Sequence, residues 1–273
     1  MNRPKIYIPT LNRAGTVYTS GNTVHSLRLA QDRIVLVCVE EEEFDYVEAL
    51  PDEFKDIEIL PCPVRGITRT REWIGEIASS RGETQVIVAD DDLEFYTRKS
   101  PEAWNLRGSE DEDIIDMLAQ IDTQLETHAA VGVFTREGFN HSGDTAERNS
   151  TAHNMRILRI TAFNLEDYND CKQGRVEFME DFDILLQLLQ KGKPSAVLTY
   201  YAQGQKQTQL PGGCSEYRNH ETHEKAAHGL AALHPEFVRL RQKQNKSGGE
   251  FGTRTEVTIQ WKKAYAKGLE SLL

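Results

Sequence analysis

Four short runs rich in β-branched residues, at residues 5–9, 33–39, 56–60 and 86–90, recur at intervals that each leave room for a helix. Such alternation predicts an α/β chain with a mainly parallel open sheet and helices on both faces. The intervening segments agree. A polar loop at 19–23 leads towards a helix running to about Gln31, and Gly66 precedes a helix start at Ile67 that carries arginines. The glutamates at 40–43 suit a helix N-terminus and a solvated face, because the helix dipole favours acids there.

The fourth run ends, with no turn residue, in Asp90, Asp91 and Asp92. Adjacent carboxylates repel one another unless water, donors or a cation compensate them, and a hard divalent ion does so most directly. In an extended chain Asp90 and Asp92 would share one side with Cα atoms about 6.6 Å apart. The plainer alternative is a solvated acidic turn. Open α/β sheets bind ligands at the carboxyl ends of their strands, so the loops after the first and third strands should collect beside this acidic end. They would bring Pro9, Thr10, Asn12, Arg13 and Arg71 towards Asp90 and Asp92. Amide and guanidinium donors near a cation complement a nucleotide diphosphate. Arg71 reads equally well as a surface helix arginine. Neither GxxxxGK[ST] nor GxGxxG occurs, which removes the usual P-loop and dinucleotide fingerprints.

Further on, the pattern predicts an amphipathic helix at 111–126, a strand at 130–135, a long polar loop at 136–144 and a strand at 155–163. Residues 179–183 form a second acidic cluster directly before a leucine-rich helix. Capping and dipole compensation account for one or two of those acids. The alternative is a general base, Asp181 or Glu180, beside Phe178 and Phe182. A glycine- and glutamine-rich stretch at 203–214 reads either as a loop closing over a ligand, with Gly212 and Gly213 allowing close backbone approach, or as ordinary surface. His220, His223, His228 and His234 cluster locally, and His220 and His234 are the candidates to complete a metal's coordination.

The formal net charge is -11, but it is unevenly placed. Residues 191–273 hold 13 Lys and Arg against 7 Asp and Glu, net +6, leaving 19 against 36, net -17, for residues 1–190. A basic C-terminal region can focus positive potential while the total stays negative. The four cysteines, Cys38, Cys62, Cys171 and Cys214, lack CxxC spacing and read as reduced thiols rather than a zinc cluster or disulfide framework. No apolar run approaches the ~20 residues of a membrane span, and the start leads directly into a strand. The expectation is a soluble cytoplasmic protein with no membrane partner and no obligate protein partner.

Several of these stretches resemble a known family when taken in order: Tyr7-Ile8-Pro9-Thr10, Ala89-Asp90-Asp91-Asp92-Leu93, Glu180-Asp181-Phe182-Asp183, Gly212-Gly213-Cys214-Ser215 with Tyr217-Arg218, and Trp261-Lys262-Lys263-Ala264. They are similar to the TET/JBP-associated glycosyltransferases, found mostly in phages, and more broadly to nucleotide-sugar glycosyltransferases of the GT-A fold. The resemblance implies one GT-A-like domain over 1–273, with a nucleotide-binding half at 1–95 and an acceptor-binding half at 96–273 that includes a basic C-terminal α/β extension. It implies a nucleotide-sugar donor, such as a UDP-sugar, held at Pro9, Thr10, Asn12, Arg13, Arg71, Asp90, Asp91, Gly212 and Gly213. It further implies Mn²⁺ or Mg²⁺ at Asp90 and Asp92, with Asp92 the more direct ligand, and a base at Asp181. The acceptor it implies is a hydroxymethylated pyrimidine, such as 5-hydroxymethylcytosine, in DNA within an infected host cell. Arg136, Arg218, Lys243, Lys262 and Lys263 are then expected against the phosphate backbone. The triplet Asp-Asp-Asp departs from a plain Asp-x-Asp and leaves the binding pair open. A GT-A enzyme with a glycan, lipid-linked or protein acceptor, and a metal-dependent nucleotidyltransferase, are the rival readings.

Overall fold

The computed structural model describes residues 3–103, 105–141, 149–205, 219–244 and 253–273. In chain order the elements are β1 (Lys5–Pro9), α1 (Thr23–Ser26), β2 (Ile34–Val39), α2 (Glu43–Glu48), β3 (Glu58–Cys62), α3 (Ile67–Ser80), β4 (Gln85–Ala89), β5 (Leu93–Arg98) and β6 (Leu106–Gly108). There follow α4 (Asp111–Gln124), β7 (Ala130–Thr135), β8 (Thr151–His153), β9 (Ile160–Asn164), α5 (Leu165–Asn169), α6 (Glu180–Gln190) and β10 (Ser195–Gln205). The chain ends with α7 (His220–Leu233), β11 (Val238–Gln244), β12 (Thr253–Ile259) and α8 (Trp261–Glu270).

The first four strands lie in the order β3-β2-β1-β4 and are all parallel. β2 is apolar and buried throughout, β1 over residues 6–8 and β4 beyond its first residue, because both faces of the sheet are covered there, while β3 at the edge is half-buried. Side-chain alternation along β1 sends Ile6 and Ile8 into one core with Leu27, Met117 and Leu118, and Tyr7 into the other with Ile74, Tyr168 and Leu185. Helices therefore cover both faces, as the alternation predicts. This order also sets the carboxyl ends of β1 and β4 side by side, so the loops that follow them meet at one edge.

Beyond β4 the sheet continues as β9, β7, β10, β5 and β6, with β8 beside β10. Its pairings there are mostly antiparallel, and only β7 and β10 run parallel. Three local expectations change. The chain turns back at the acidic triplet and re-enters the sheet as β5. The strand expected at 155–163 shrinks to β9, because Asn154 and Arg159 take left-handed conformations (φ 52° and 65°) that break an extended run. The helix expected to Gln31 is one short α-turn, then a 3-10 segment broken at Ala30.

The C-terminal elements are docked onto this sheet through α6. Gly268 lets α8 come close, since a Cβ there would meet the main-chain carbonyl of Leu189. The β11–β12 ribbon forms a separate two-stranded sheet against α7.

Candidate active site

The acidic triplet sits in a tight turn clamped by one buried residue. Thr23, fully buried, donates its main-chain N–H to the Asp91 carbonyl at 3.0 Å and its hydroxyl to the Asp90 carbonyl, while its Oγ1 accepts the N–H of Leu93 at 2.8 Å. The N–H of Asp90 donates to the carbonyl of Arg159 at 2.7 Å. With the main chain held on both sides, Asp90 turns to Arg71 while Asp91 and Asp92 both approach Arg13. The turn replaces the extended geometry considered from sequence.

Asp91 points inward. Thr10 donates to its Oδ2 at 2.7 Å, Arg13 pairs with its Oδ1, and Tyr46 completes the cluster by hydrogen bonding Thr10 at 3.0 Å and the N–H of Arg13 at 3.0 Å. Burial pushes the Asp91 carboxyl up to about 7 against the attraction of Arg13. Asp92 lies 3.6 Å from Arg13 and accepts the amide of Gln205 at 2.8 Å. Asp90 takes the Arg71 guanidinium at 2.7 Å, and burial still raises its carboxyl to about 6, with Arg71 pulling down and Asp92 pushing up.

Arg71 joins the two acidic motifs. Its other terminal nitrogen pairs with Glu180, the first residue of α6, so a guanidinium on α3 spans carboxylates 90 positions apart in sequence. The side chain is only 16% exposed, which excludes the surface-arginine reading. Next to Glu180, Asp181 accepts the Phe182 N–H at 2.9 Å, and burial together with Glu180 holds its carboxyl well above the ordinary range. Arg71, Arg159, Tyr168, Gln173, Glu180 and Asp181 line one small cleft. A second, open recess of about 480 Å³ adjoins the β1 loop and is lined by Asn12, Gly15, Glu42, Asp45 and Glu48.

Backbone strain collects around these residues. Asn12 (φ 56°), Arg159 (φ 65°), Phe178 (φ 57°) and Met179 (φ 61°) all adopt left-handed conformations without being glycine, and the last two lie directly before Glu180. Each costs about 1–3 kcal/mol, and such strain gathers where the surroundings fix a functional geometry. Asn12 is held in part by Glu42, which accepts its N–H at 2.8 Å. One member of the glutamate run thus reaches the site rim, beyond its expected role as a solvated helix start.

The residues available suit a hard divalent cation. Asp90, Asp91, Asp92, Glu180 and Asp181 face Arg13, Arg71 and Arg159, leaving an excess of carboxylate. Among the described residues no group of three or more His, Cys, Asp or Glu side chains is preassembled for a metal. A Mg²⁺- or Mn²⁺-type ion, which keeps several waters, needs only one or two carboxylates plus substrate phosphates. His234 is not gathered at the turn. Its Nε2–H donates to Asp183 at 2.7 Å and its Nδ1 accepts from Gln190 at 2.8 Å, tying the end of α7 to α6. Arg175 also pairs with Asp183, whose carboxyl stays below its usual range because these donors outweigh burial. His220 opens α7, one turn from Glu224.

Of the residues expected at the phosphate backbone, Arg136 lies over the Tyr96 ring, 4.4 Å from its centroid. Lys243 stands on β11, 3.3 Å from Glu256, and Lys262 and Lys263 are exposed at the start of α8. Gly212, Gly213 and Arg218 lie outside the described residues. Of the 203–214 stretch, Gln203, Gly204 and Gln205 end β10 as strand, and the rest lies outside the described residues. Thr23, Arg159 and Gln205 carry no local sequence signal, because they reach the turn only through tertiary contacts.

The fold sets carboxylates and arginines of an α/β protein at the carboxyl ends of β1 and β4, beside the first turn of α6. The chain belongs to the TET-Associated Glycosyltransferase family, whose sequence profile matches residues 4–213, and it is a glycosyltransferase. No curated protein matches it. Among solved structures, S. aureus TarS 1-349 in complex with UDP is 14% identical over 85% of this chain, with a TM-score of 0.47, and this chain spans 65% of that one. A mannose-1-phosphate geranyltransferase from Thermus thermophilus is 12% identical, with a TM-score of 0.41, covering 74% of this chain and 76% of its own. No helix among the described residues is long and apolar enough to cross a membrane.

Proposed function

We propose that the protein moves a sugar from a nucleotide-sugar donor, such as a UDP-sugar, to the hydroxyl of a hydroxymethylated pyrimidine in DNA. The observation that carries this reading is the Arg71 bridge, which fixes the acidic turn after β4 beside the start of α6. Asp90 is thereby held next to the cleft that Arg71, Glu180 and Asp181 line, so a diphosphate at the turn and an acceptor hydroxyl at Asp181 would be neighbours. Asp90 and Asp92 would hold Mg²⁺ or Mn²⁺, which when bound supplies positive charge to the departing diphosphate. Arg13 and Arg71 would donate to diphosphate oxygens once the donor arrives. The recess beside Asn12 and Glu42 offers carboxylates to accept ribose hydroxyls.

Asp181 takes the proton from the acceptor hydroxyl as its oxygen attacks the anomeric carbon and the bond to the diphosphate breaks, a single displacement through an oxocarbenium-like transition state. A carboxyl with raised proton affinity suits that role, because it is a stronger base than a solvated carboxylate. A base paired within duplex DNA would have to be flipped out to reach it. The family and the basic C-terminal region support DNA as the acceptor. The test is to incubate the protein with DNA containing 5-hydroxymethylcytosine and a panel of sugar nucleotides, then weigh the digested nucleosides. A mass gain of one sugar on the modified nucleoside is expected. Release of pyrophosphate from a nucleoside triphosphate, with no sugar transfer, would overturn the proposal in favour of nucleotidyl transfer.

A further inference from the structure

The β11–β12 ribbon lies beyond residue 213, where the family match ends. Its register pairs Arg239 with Thr258, Arg241 with Glu256 and Lys243 with Arg254. Alternation therefore puts Arg239, Arg241, Lys243 and Arg254 on one face, with Glu256 as the carboxylate among them. Those positions are exposed or half-buried. Glu256 accepts from Arg254 at 2.9 Å and lies 3.3 Å from Lys243, so these five residues keep a net charge of +3. Arg241 makes no ion pair among the described residues.

The opposite face is engaged along β12 and at Val238, while Leu240 and Gln242 on β11 are exposed. Val257 and Ile259 pack on the core, the Thr255 carbonyl hydrogen bonds His223 Nε2 at 3.1 Å, and the Thr255 N–H donates to Glu224 at 3.2 Å. Because a one-residue slip would reverse every side chain, this packing fixes which face carries the cations. The ribbon is also tied to the reactive carboxylate. Trp261, two residues past β12, meets Phe182 edge-to-face at 5.6 Å, and Phe182 follows Asp181. Arg156 lies over the Phe182 ring at 5.7 Å, in the electrostatic field of both Asp181 and Glu256.

We propose that the outer face of the β11–β12 ribbon is the duplex-docking element, laying Arg239, Arg241, Lys243 and Arg254 against DNA phosphates and presenting the flanking base to Asp181. This rests on the DNA-acceptor reading above. A two-stranded ribbon fits the major groove, about 12 Å wide, and the three β11 cations extend over about 14 Å of strand. Recognition is by charge and shape, so it is independent of sequence.

The test measures fluorescence anisotropy of a labelled duplex against salt, with sugar transfer to 5-hydroxymethylcytosine DNA and donor hydrolysis measured in parallel. Arg241→Ala with Lys243→Ala should weaken duplex binding at least tenfold and raise KM for DNA. It should flatten the slope of log K against log salt by about 0.9 for each phosphate no longer neutralised. Donor hydrolysis should stay unchanged. Glu256→Gln should tighten binding, which a purely structural role for the ribbon would not produce, and Lys55→Ala, an exposed cation elsewhere, should match the parent. If the parent protein modifies DNA while the double variant and Glu256→Gln bind duplex as it does, the ribbon inference is overturned and the acceptor reading stands. If the parent neither binds nor modifies DNA, both are overturned together.

Discussion

The rim of the parallel sheet and the C-terminal ribbon handle charge in opposite ways. At the rim, carboxylates are buried or half-buried and most are answered from inside the protein: Asp91 by Arg13 and Thr10, Asp90 and Glu180 by Arg71. On the ribbon, cations outnumber carboxylates and face outward. Buried charge must be compensated by the fold itself, whereas exposed excess charge costs little and is left for a partner. Stability should therefore depend on the rim, and association on the ribbon.

Arg71→Met gives the largest expected effect. It removes one cation from two largely buried carboxylates, which costs about 3–5 kcal/mol for a broken buried pair. Denaturant unfolding should show a midpoint shift of that order, with sugar transfer abolished. Asp181→Asn sharpens the contrast between holding the fold and doing chemistry. Turnover should fall by about 10²–10⁴, the usual worth of a general base, while donor affinity and thermal stability change little. Wild-type kcat/KM should drop on acidification below neutrality, because the Asp181 carboxyl holds its proton to unusually high pH, and the remaining activity of Asp181→Asn should not follow that profile.

The pH dependence of stability tests the rim. Asp90 and Asp91 have folded values of about 6 and about 7 against ordinary values near 3.8. The folded state thus binds more protons than the unfolded state across that window, and these two groups favour folding most below about pH 4. Their contribution is lost as pH rises through 6 to 7. In the absence of divalent cations the melting temperature should fall over this interval, and Mn²⁺ should recover part of it at pH 7.5 while releasing protons on binding at pH 6. The smallest effect belongs to the ribbon. Arg241→Ala should shift stability by less than about 0.5 kcal/mol, as expected for an exposed cation without an ion-pair partner among the described residues.

Much of the rim was legible because it depends on local rules. Apolar runs separated by helix-length intervals define parallel strands, and their following loops converge at one edge. That is why Thr10, Arg13 and Arg71 could be placed near Asp90–Asp92 from their positions alone. What resisted reading depends on long-range contacts or on uncommon backbone. Nothing near Thr23 shows that it would clamp a turn 67 residues away, and no glycine marks the left-handed Arg159, Phe178 and Met179. His234 misleads for a related reason. A histidine near the C-terminus can serve a metal or a buried carboxylate, and only the fold shows His234 seated against Asp183. The antiparallel half was blurred because the acidic triplet interrupts the apolar run that would have announced β5.

On the proposed function, the acidic rim would grip a donor diphosphate through a divalent cation. Calorimetric titration of UDP into the protein, with and without Mn²⁺, tests it most directly. Binding should require the metal and be lost in Asp92→Asn. Equal UDP affinity in metal-free protein and in that variant would contradict it.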